Sequence, residues 1–168
     1  MNRDFDGVIR AVRNGDAAAI RPILDEWVLA DDISAILEAV RRSAAGDSER
    51  QYLVAESGDG AVVGLMGLTG VGIDAALHWP SERPAELVNA YVAGTWRGRG
   101  VGRALAERLE QRAKDLGFTK LIVVSGSRNR ESGYGFWNER FGEPIFLDRD
   151  FYGPGQEKIA WAKSLSDS

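Results

Sequence analysis

The stretch that most limits what this chain can fold into is Glu86–Gly117, ELVNAYVAGTWRGRGVGRALAERLEQRAKDLG. Leu87–Val92 is a short apolar run that reads as a strand. A glycine-rich turn follows, Arg97-Gly98-Arg99-Gly100-Val101-Gly102. An amphipathic helix then runs to about Leu116. Its apolar positions Leu105, Leu109, Ala113 and Leu116 are spaced by three or four and share one face. Gly117 stands where a left-handed C-terminal cap is wanted, and glycine takes positive φ without a steric penalty.

The chemistry of the turn follows from its residues. Without Cβ atoms at Gly98, Gly100 and Gly102, a ligand can approach the backbone closely. The first N–H groups of the helix lack intrahelical partners, and the helix dipole makes that end positive. Arg97, Arg99 and Arg103 add formal charge. Together these predict an anion site suited to a phosphate or pyrophosphate. On spacing alone, a plain strand-to-helix connection with solvated arginines stays open beside it. Two familiar phosphate loops fit poorly. No Gly-x-x-x-x-Gly-Lys-Ser/Thr pattern surrounds Lys114 or Lys120. A dinucleotide fingerprint starting at Gly98 or Gly100 would need its third glycine at Arg103 or Leu105, and no acidic residue ends the run Lys120–Ser125.

The stretch resembles the signature motif of the GNAT superfamily of N-acetyltransferases, Arg/Gln-x-x-Gly-x-Gly/Ala, placed between the fourth strand and third helix of that fold. Here it reads Arg97-x-x-Gly100-x-Gly102 after a strand ending near Tyr91-Val92. The resemblance extends over essentially the whole chain. It implies an α/β (α+β) fold: a mixed, mostly antiparallel central sheet of about six to seven strands flanked by about four helices, splayed where strands four and five meet.

The bulk properties agree. The 168 residues are expected to form one domain, 1–168, large enough for a proper core. The 44% apolar and 27% charged content is that of a soluble globular chain. No apolar run approaches a membrane span, and MNRDFDGVIRAV lacks the apolar centre of a signal peptide, so a cytoplasmic location and no membrane partner are expected. There is no cysteine, hence no disulfide and no thiol nucleophile; with the single histidine His78, no metal is expected. A net charge of −4 argues against nucleic acid as a partner.

Taken in order, Val8–Val12 is a candidate strand, and Asn14-Gly15-Asp16 a turn with Asp16 as a helix cap. Residues 17–29 place Ile20, Ile23, Leu24, Trp27 and Val28 on one helical face. Asp31-Asp32 is read as the cap of a second helix carrying Ile33, Ile36, Leu37 and Val40. Gln51–Glu56 and Ala61–Leu68 form a hairpin around Ser57-Gly58-Asp59-Gly60. Gly64 and Gly67 in its second strand mark a bulge or close packing. Gly70–Pro84, with His78 and Trp79, reads as irregular. Lys120–Ser125 suits a buried strand. A helix follows Asn129, and Pro144–Leu147 and Lys158–Ala162 supply two last strands around Gly153-Pro154-Gly155. The resulting order is β-α-α-β-β-β-α-β-α-β-β.

The resemblance also implies a mechanism: transfer of an acetyl group from acetyl-CoA to a primary amine of a small molecule or peptide, with homodimerisation common in the family. Carried over by position, backbone amides of Gly98, Arg99, Gly100, Val101 and Gly102, with Arg97 and Arg103, would cradle the CoA pyrophosphate. Ala90, Tyr91, Val92 and Ala93 would run beside the pantetheine arm, an N–H near Ala90 polarising the thioester carbonyl. Asn129 resembles the family's asparagine beside that arm. Glu86, eleven residues before Arg97, has the spacing of the family's strand-four general base, with Glu56 and Glu131 as weaker substitutes. Two departures stand out. The family's closing Gly-Phe pair is inverted here as Phe141-Gly142. Trp137 occupies the place of its common tyrosine acid, which leaves Tyr134, one helical turn earlier, as the candidate proton donor. The tryptophan keeps a second reading open, an acyl-CoA-binding sensor or interaction module without catalysis.

Overall fold

The structure, a computed structural model, describes residues 4–47, 49–71, 81–126 and 130–165, of which 130–132 by backbone alone. The elements are β1 (Val8–Ala11), α1 (Asp16–Trp27), α2 (Ala30–Ala44), β2 (Arg50–Glu56), β3 (Val62–Thr69), β4 (Pro84–Val92), α3 (Val101–Asp115), β5 (Lys120–Gly126), α4 (Arg130–Phe141), β6 (Phe146–Asp148) and β7 (Lys158–Ser164). This is the order expected from the sequence. The strands form one seven-stranded sheet in the order β1-β2-β3-β4-β5-β7-β6. All neighbours are antiparallel except β4 and β5, which run parallel.

Period-two alternation sends the two faces of the sheet into two cores. Tyr52, Val54 and Leu65 pack with Ile20, Leu24, Ile33, Leu37 and Val40 of α1 and α2. Ala55, Met66, Leu68, Leu121 and Trp161 pack with Leu105, Leu109 and Ala113 of α3. Gly64 brings α3 close: a Cβ there would lie 2.7 Å from Val101 Cγ1 and 3.1 Å from Leu105 Cδ1. The far end of α3 closes as expected. Gly117 has φ +85°, its N–H donates to Lys114 O, and the Phe118 N–H donates to Ala113 O, the paired bonds of a Schellman motif.

Two expected helix caps are corrected. Asp16 is the first residue of α1, not its cap; that position belongs to Gly15 at φ +94°. The Asp16 carboxylate turns back to Arg10 and to the Arg13 N–H (2.7 and 2.6 Å), because the guanidinium attracts it more strongly than a helix N–H would. Asp31 and Asp32 lie inside the first turn of α2 after Leu29, where they favour the helix dipole without capping it. β4 also begins earlier than the apolar run suggests. Pro84 opens it, as the first residue of a strand allows, so Glu86 lies within the strand between Thr69 and Ile122.

Candidate active site

Two features of β4 build the site. First, its parallel pairing with β5 stops at Leu87↔Val123, and the strands part beyond it. A cleft of about 380 Å³ opens there, with Val88–Val92 on one wall, Val123–Ser125 on the other, and Gly133 and Trp137 of α4 at its side. Second, β4 is bulged. Leu65 pairs with Tyr91 and Gly67 with Val88, so Asn89 and Ala90 together face Met66. Asn89 adopts φ +52°, which among the described residues no other non-glycine does.

Beyond Val92 the chain makes a 3₁₀ turn over Gly94–Trp96 and enters the glycine turn. Gly98 and Gly100 have φ +74° and +83°, and Gly100 caps α3 with no side-chain hydrogen bond to the first helical N–H groups. That leaves the positive end of α3 facing a cavity of about 490 Å³ lined by Arg97, Arg103, Phe136, Arg140 and Lys163 among others. Arg97 stacks over Trp27 and Arg99 over Trp96, each 4.9 Å from the ring centroid. The two spaces meet at Val92 and Arg97, which line both. A long ligand can therefore lie with an anionic part at α3 and an uncharged arm between β4 and β5.

Comparison with known proteins agrees with this geometry. The sequence pattern of the acetyltransferase (GNAT) family matches residues 17–142. The chain belongs to the GNAT acetyltransferase family. An amino-acid acetyltransferase of Mycobacterium tuberculosis (strain ATCC 25618 / H37Rv) is 28% identical over 149 residues, covering 85% of this chain and 75% of that protein. Among solved structures, a protein assigned to the GNAT family from Desulfovibrio desulfuricans superposes with a TM-score of 0.79 at 18% identity, over 95% of this chain and 99% of its own. A Salmonella typhimurium protein holding its cofactor acetyl-CoA gives a TM-score of 0.71 at 20% identity, over 97% of this chain and 96% of its own.

Against the GNAT frame, the residues singled out from sequence fall into groups. Ala90, Tyr91 and Val92 line the cleft, and Val92, Arg97, Gly98, Gly100, Val101, Gly102 and Arg103 line the cavity at α3. Ala93 continues the β3 ladder, its N–H donating to Val63 O. Glu86 lines the cleft half-buried; desolvation raises its pKa above the usual carboxylate range, and Arg50 partly offsets this. Tyr134 is not among the residues lining the cleft; its hydroxyl donates to Glu157 Oε1 at 3.3 Å and its ring meets Trp161 edge-on. Trp137 does line it, 6% exposed. Glu56 is paired with Arg10 at 2.7 Å and lines neither space. Asn129, His78 and the Glu131 side chain lie outside the described residues. Among the described residues, no group of three or more His, Asp or Glu could hold a metal, and no helix is long and apolar enough to cross a membrane.

Several site residues were not singled out from sequence. Trp27 was legible only as part of an apolar helix face, yet its indole N–H donates to the Val92 carbonyl at 2.8 Å. Arg140 and Lys163 reach the anion cavity from α4 and β7, and both pair with Glu110 of α3, Lys163 at 2.7 Å and Arg140 at 3.5 Å. Asn89 gave no local signal, because NAY within ELVNAYV reads as uninterrupted strand.

Proposed function

We propose that this acetyltransferase moves an acetyl group from acetyl-CoA to a primary amine of a small molecule or peptide by direct attack on the thioester. The observation that carries the reading is a pair of adjoining spaces with Val92 and Arg97 in both walls, one at the side-chain-uncapped start of α3 and the other the β4–β5 cleft that Glu86 lines. The chain fits the cofactor on its own geometry. At Gly98 a Cβ would meet no atom within 4 Å, and at Gly102 one would lie 3.7 and 3.8 Å from Phe136 and Val92, which line the same cavity, so the absence of side chains at both leaves room for a ligand against the backbone.

In this reading the N–H groups of Gly98–Gly102, with Arg97, Arg99 and Arg103, hold the pyrophosphate through charge-assisted bonds. Ala90, Tyr91, Val92 and Ala93 flank the pantetheine arm, with Asn129 beside it by family resemblance. Acetyl-CoA supplies an acetyl group activated as a thioester: the amine nitrogen bonds to its carbonyl carbon, the C–S bond breaks, and CoA leaves as a thiolate. Glu86 accepts the proton that the attacking ammonium must lose, a task its raised pKa suits. A bulge leaves one residue out of the ladder, and in this reading a backbone N–H near Ala90 polarises the carbonyl. Water protonates the departing thiolate, which a thiol pKa of about 8.5 makes easy; Tyr134 serves as the side-chain source only when its hydroxyl leaves Glu157 and turns to the cleft.

The acceptor's entry is supported by a third space of about 650 Å³, lined by Leu29, Asp32, Ile36, Tyr152 and Glu157 and meeting the cleft at Trp27, Asn89 and Tyr91. Two carboxylates among apolar walls suit a protonated amine with an apolar body. The mycobacterial relative's name adds amino acids to the amines worth screening first.

One observation favours a second reading, acyl-CoA binding without catalysis: the Tyr134 hydroxyl is engaged by Glu157, and Trp137 lines the cleft instead. Calorimetric titration with acetyl-CoA and desulfo-CoA, followed by an amine panel, separates the two. Wild type is expected to bind both ligands. Gly100→Asp should weaken binding about a hundredfold or more, since a like charge against a phosphate costs several kcal/mol. Turnover of any amine supports transfer. Binding with no turnover across the panel supports the sensor, and no binding overturns both.

A further inference from the structure

Tyr52 is on β2, two strands away from the cleft, yet its hydroxyl reaches the cleft wall. The side chain is 1% exposed. It crosses β3 at Gly67, its partner in the ladder, where a Cβ would stand 2.7 Å from the ring's Cε1 and 2.9 Å from its Cδ1. Only glycine there lets the ring lie across β3. On the far side the Tyr52 hydroxyl donates a 2.7 Å hydrogen bond to Asn89 Oδ1. Arg50 Nη1 approaches the same oxygen at 3.4 Å and the hydroxyl at 3.5 Å. The backbone of Tyr52 is held in turn, its N–H donating to Ser43 Oγ in the last turn of α2 at 3.0 Å.

Asn89 is the left-handed residue of the β4 bulge. Asparagine tolerates that conformation better than most residues, but as one of several, and alone it does not select it. A buried hydroxyl gripping its side-chain carbonyl does, because release would leave the Tyr52 hydroxyl short of its acceptor inside the core.

We infer that Tyr52 is a positioning residue for acetyl transfer: through Asn89 it holds the β4 bulge in the conformation that aims the adjoining backbone N–H into the cleft, while Arg50 ties the same carbonyl to the surroundings of Glu86. The inference rests on the acetyl-transfer reading. Burial raises the Tyr52 pKa, partly offset by Arg50, so the hydroxyl remains a donor throughout the neutral range. A merely structural tyrosine would affect stability alone; a positioning one alters how the bound thioester is polarised.

Two variants test it, Tyr52→Phe and Asn89→Gly, with their double mutant. Glycine takes positive φ without strain, so Asn89→Gly removes the grip without touching the core and serves if Tyr52→Phe folds poorly. Acetyl-CoA binding is measured by calorimetry, and carbonyl polarisation by the isotope-edited infrared stretch of bound acetyl-CoA, which needs no acceptor. Each single variant is expected to keep acetyl-CoA affinity within about twofold, since the pyrophosphate contacts are remote from the grip. In each, the carbonyl band moves back toward its frequency in water, and kcat with any accepted amine falls about tenfold to a hundredfold, the effect of a misplacement on the order of 1 Å. The double mutant should lose no more than the singles. A wild-type carbonyl band in Tyr52→Phe with binding intact overturns the inference while leaving acetyl transfer standing, as do fully additive losses. Failure of wild type to bind acetyl-CoA, read separately by the calorimetry, overturns the transfer reading and this inference with it.

Discussion

The indole N–H of Trp27, the last residue of α1, donates a 2.8 Å hydrogen bond to the backbone carbonyl of Val92, the last residue of β4. The same ring carries the Arg97 guanidinium, and the neighbouring Glu26 Oε2 accepts the Gly94 N–H at 2.8 Å. The end of α1 therefore holds the chain where it leaves the cleft and turns toward α3. Trp27→Phe keeps a ring but removes the hydrogen bond. Stability should fall by about 1 kcal/mol, a drop in Tm of roughly 2–4 °C for a domain of this size. Acetyl-CoA affinity should fall about three- to fivefold as Arg97 loses the better of the two rings. Thermal melts and calorimetry read the two effects separately.

In the proposed mechanism Glu86 sets the acid side of the pH–rate profile. As a base it works deprotonated, and desolvation raises its pKa above that of an ordinary glutamate, with Arg50 opposing. Activity should therefore rise with pH through a value above the usual carboxylate range. Glu86→Gln should abolish that limb and lower kcat/KM by about 10²–10⁴. Stability moves the other way. A raised native pKa means that the folded protein binds the proton more tightly than the unfolded chain does. The resulting stabilisation is full below the unfolded value and lost as pH rises through the native one. Urea unfolding of both proteins on either side of that window checks the sign.

Gly64 sets the distance between α3 and the sheet. A Cβ there meets Val101 Cγ1 at 2.7 Å, too close for either atom to stay in place. Gly64→Ala should cost about 1–3 kcal/mol from overpacking. Because Val101 is the first residue of α3, the anion cavity shifts with it, and acetyl-CoA affinity should fall in parallel. Loss of stability with unchanged affinity would show that the start of α3 does not move.

Arg10 ties β1 to its surroundings through Asp16 and Glu56, both at 2.7 Å, with side chains 14%, 11% and 29% exposed respectively. Burial pushes the Asp16 pKa up, but the hydrogen bonds from Arg10 and the Arg13 N–H more than offset it and hold the carboxyl below its ordinary value. A depressed native pKa gives stability that is present above the unfolded value, about 3.9, and lost as pH falls through the native one. Asp16→Asn should cost about 2 kcal/mol at pH 7, and the gap from wild type should narrow as the pH is lowered. Denaturant midpoints across that range measure it.

What could be read from the sequence was local. The left-handed cap at Gly117 follows from steric limits on φ, and the helical face of Leu105, Leu109 and Ala113 from periodicity. Gly64 and Gly67 were legible as a bulge or close packing, and the structure shows close packing against Val101 and Tyr52. The order of elements follows, and with it the family. The caps expected at Asp16 and Asp31-Asp32 did not form because an acidic residue near a helix start has several places to put its carboxylate, and for Asp16 a guanidinium brought from β1 decided.

The parting of β4 from β5 was expected only through the family resemblance, and the bulge at Asn89 and the second wall of charge at the anion cavity were decided by tertiary structure alone. Asn89 is left-handed in the company of a hydroxyl 37 residues away, and Val92 is held by an indole 65 residues away. Arg140 and Lys163 come to the cavity on elements that α3 and β5 place there. Backbone sterics and side-chain periodicity act within a few residues and are written in the chain. A hydrogen bond between distant segments forms only after two cores have packed on opposite faces of one sheet, and that packing sets the shape of the site.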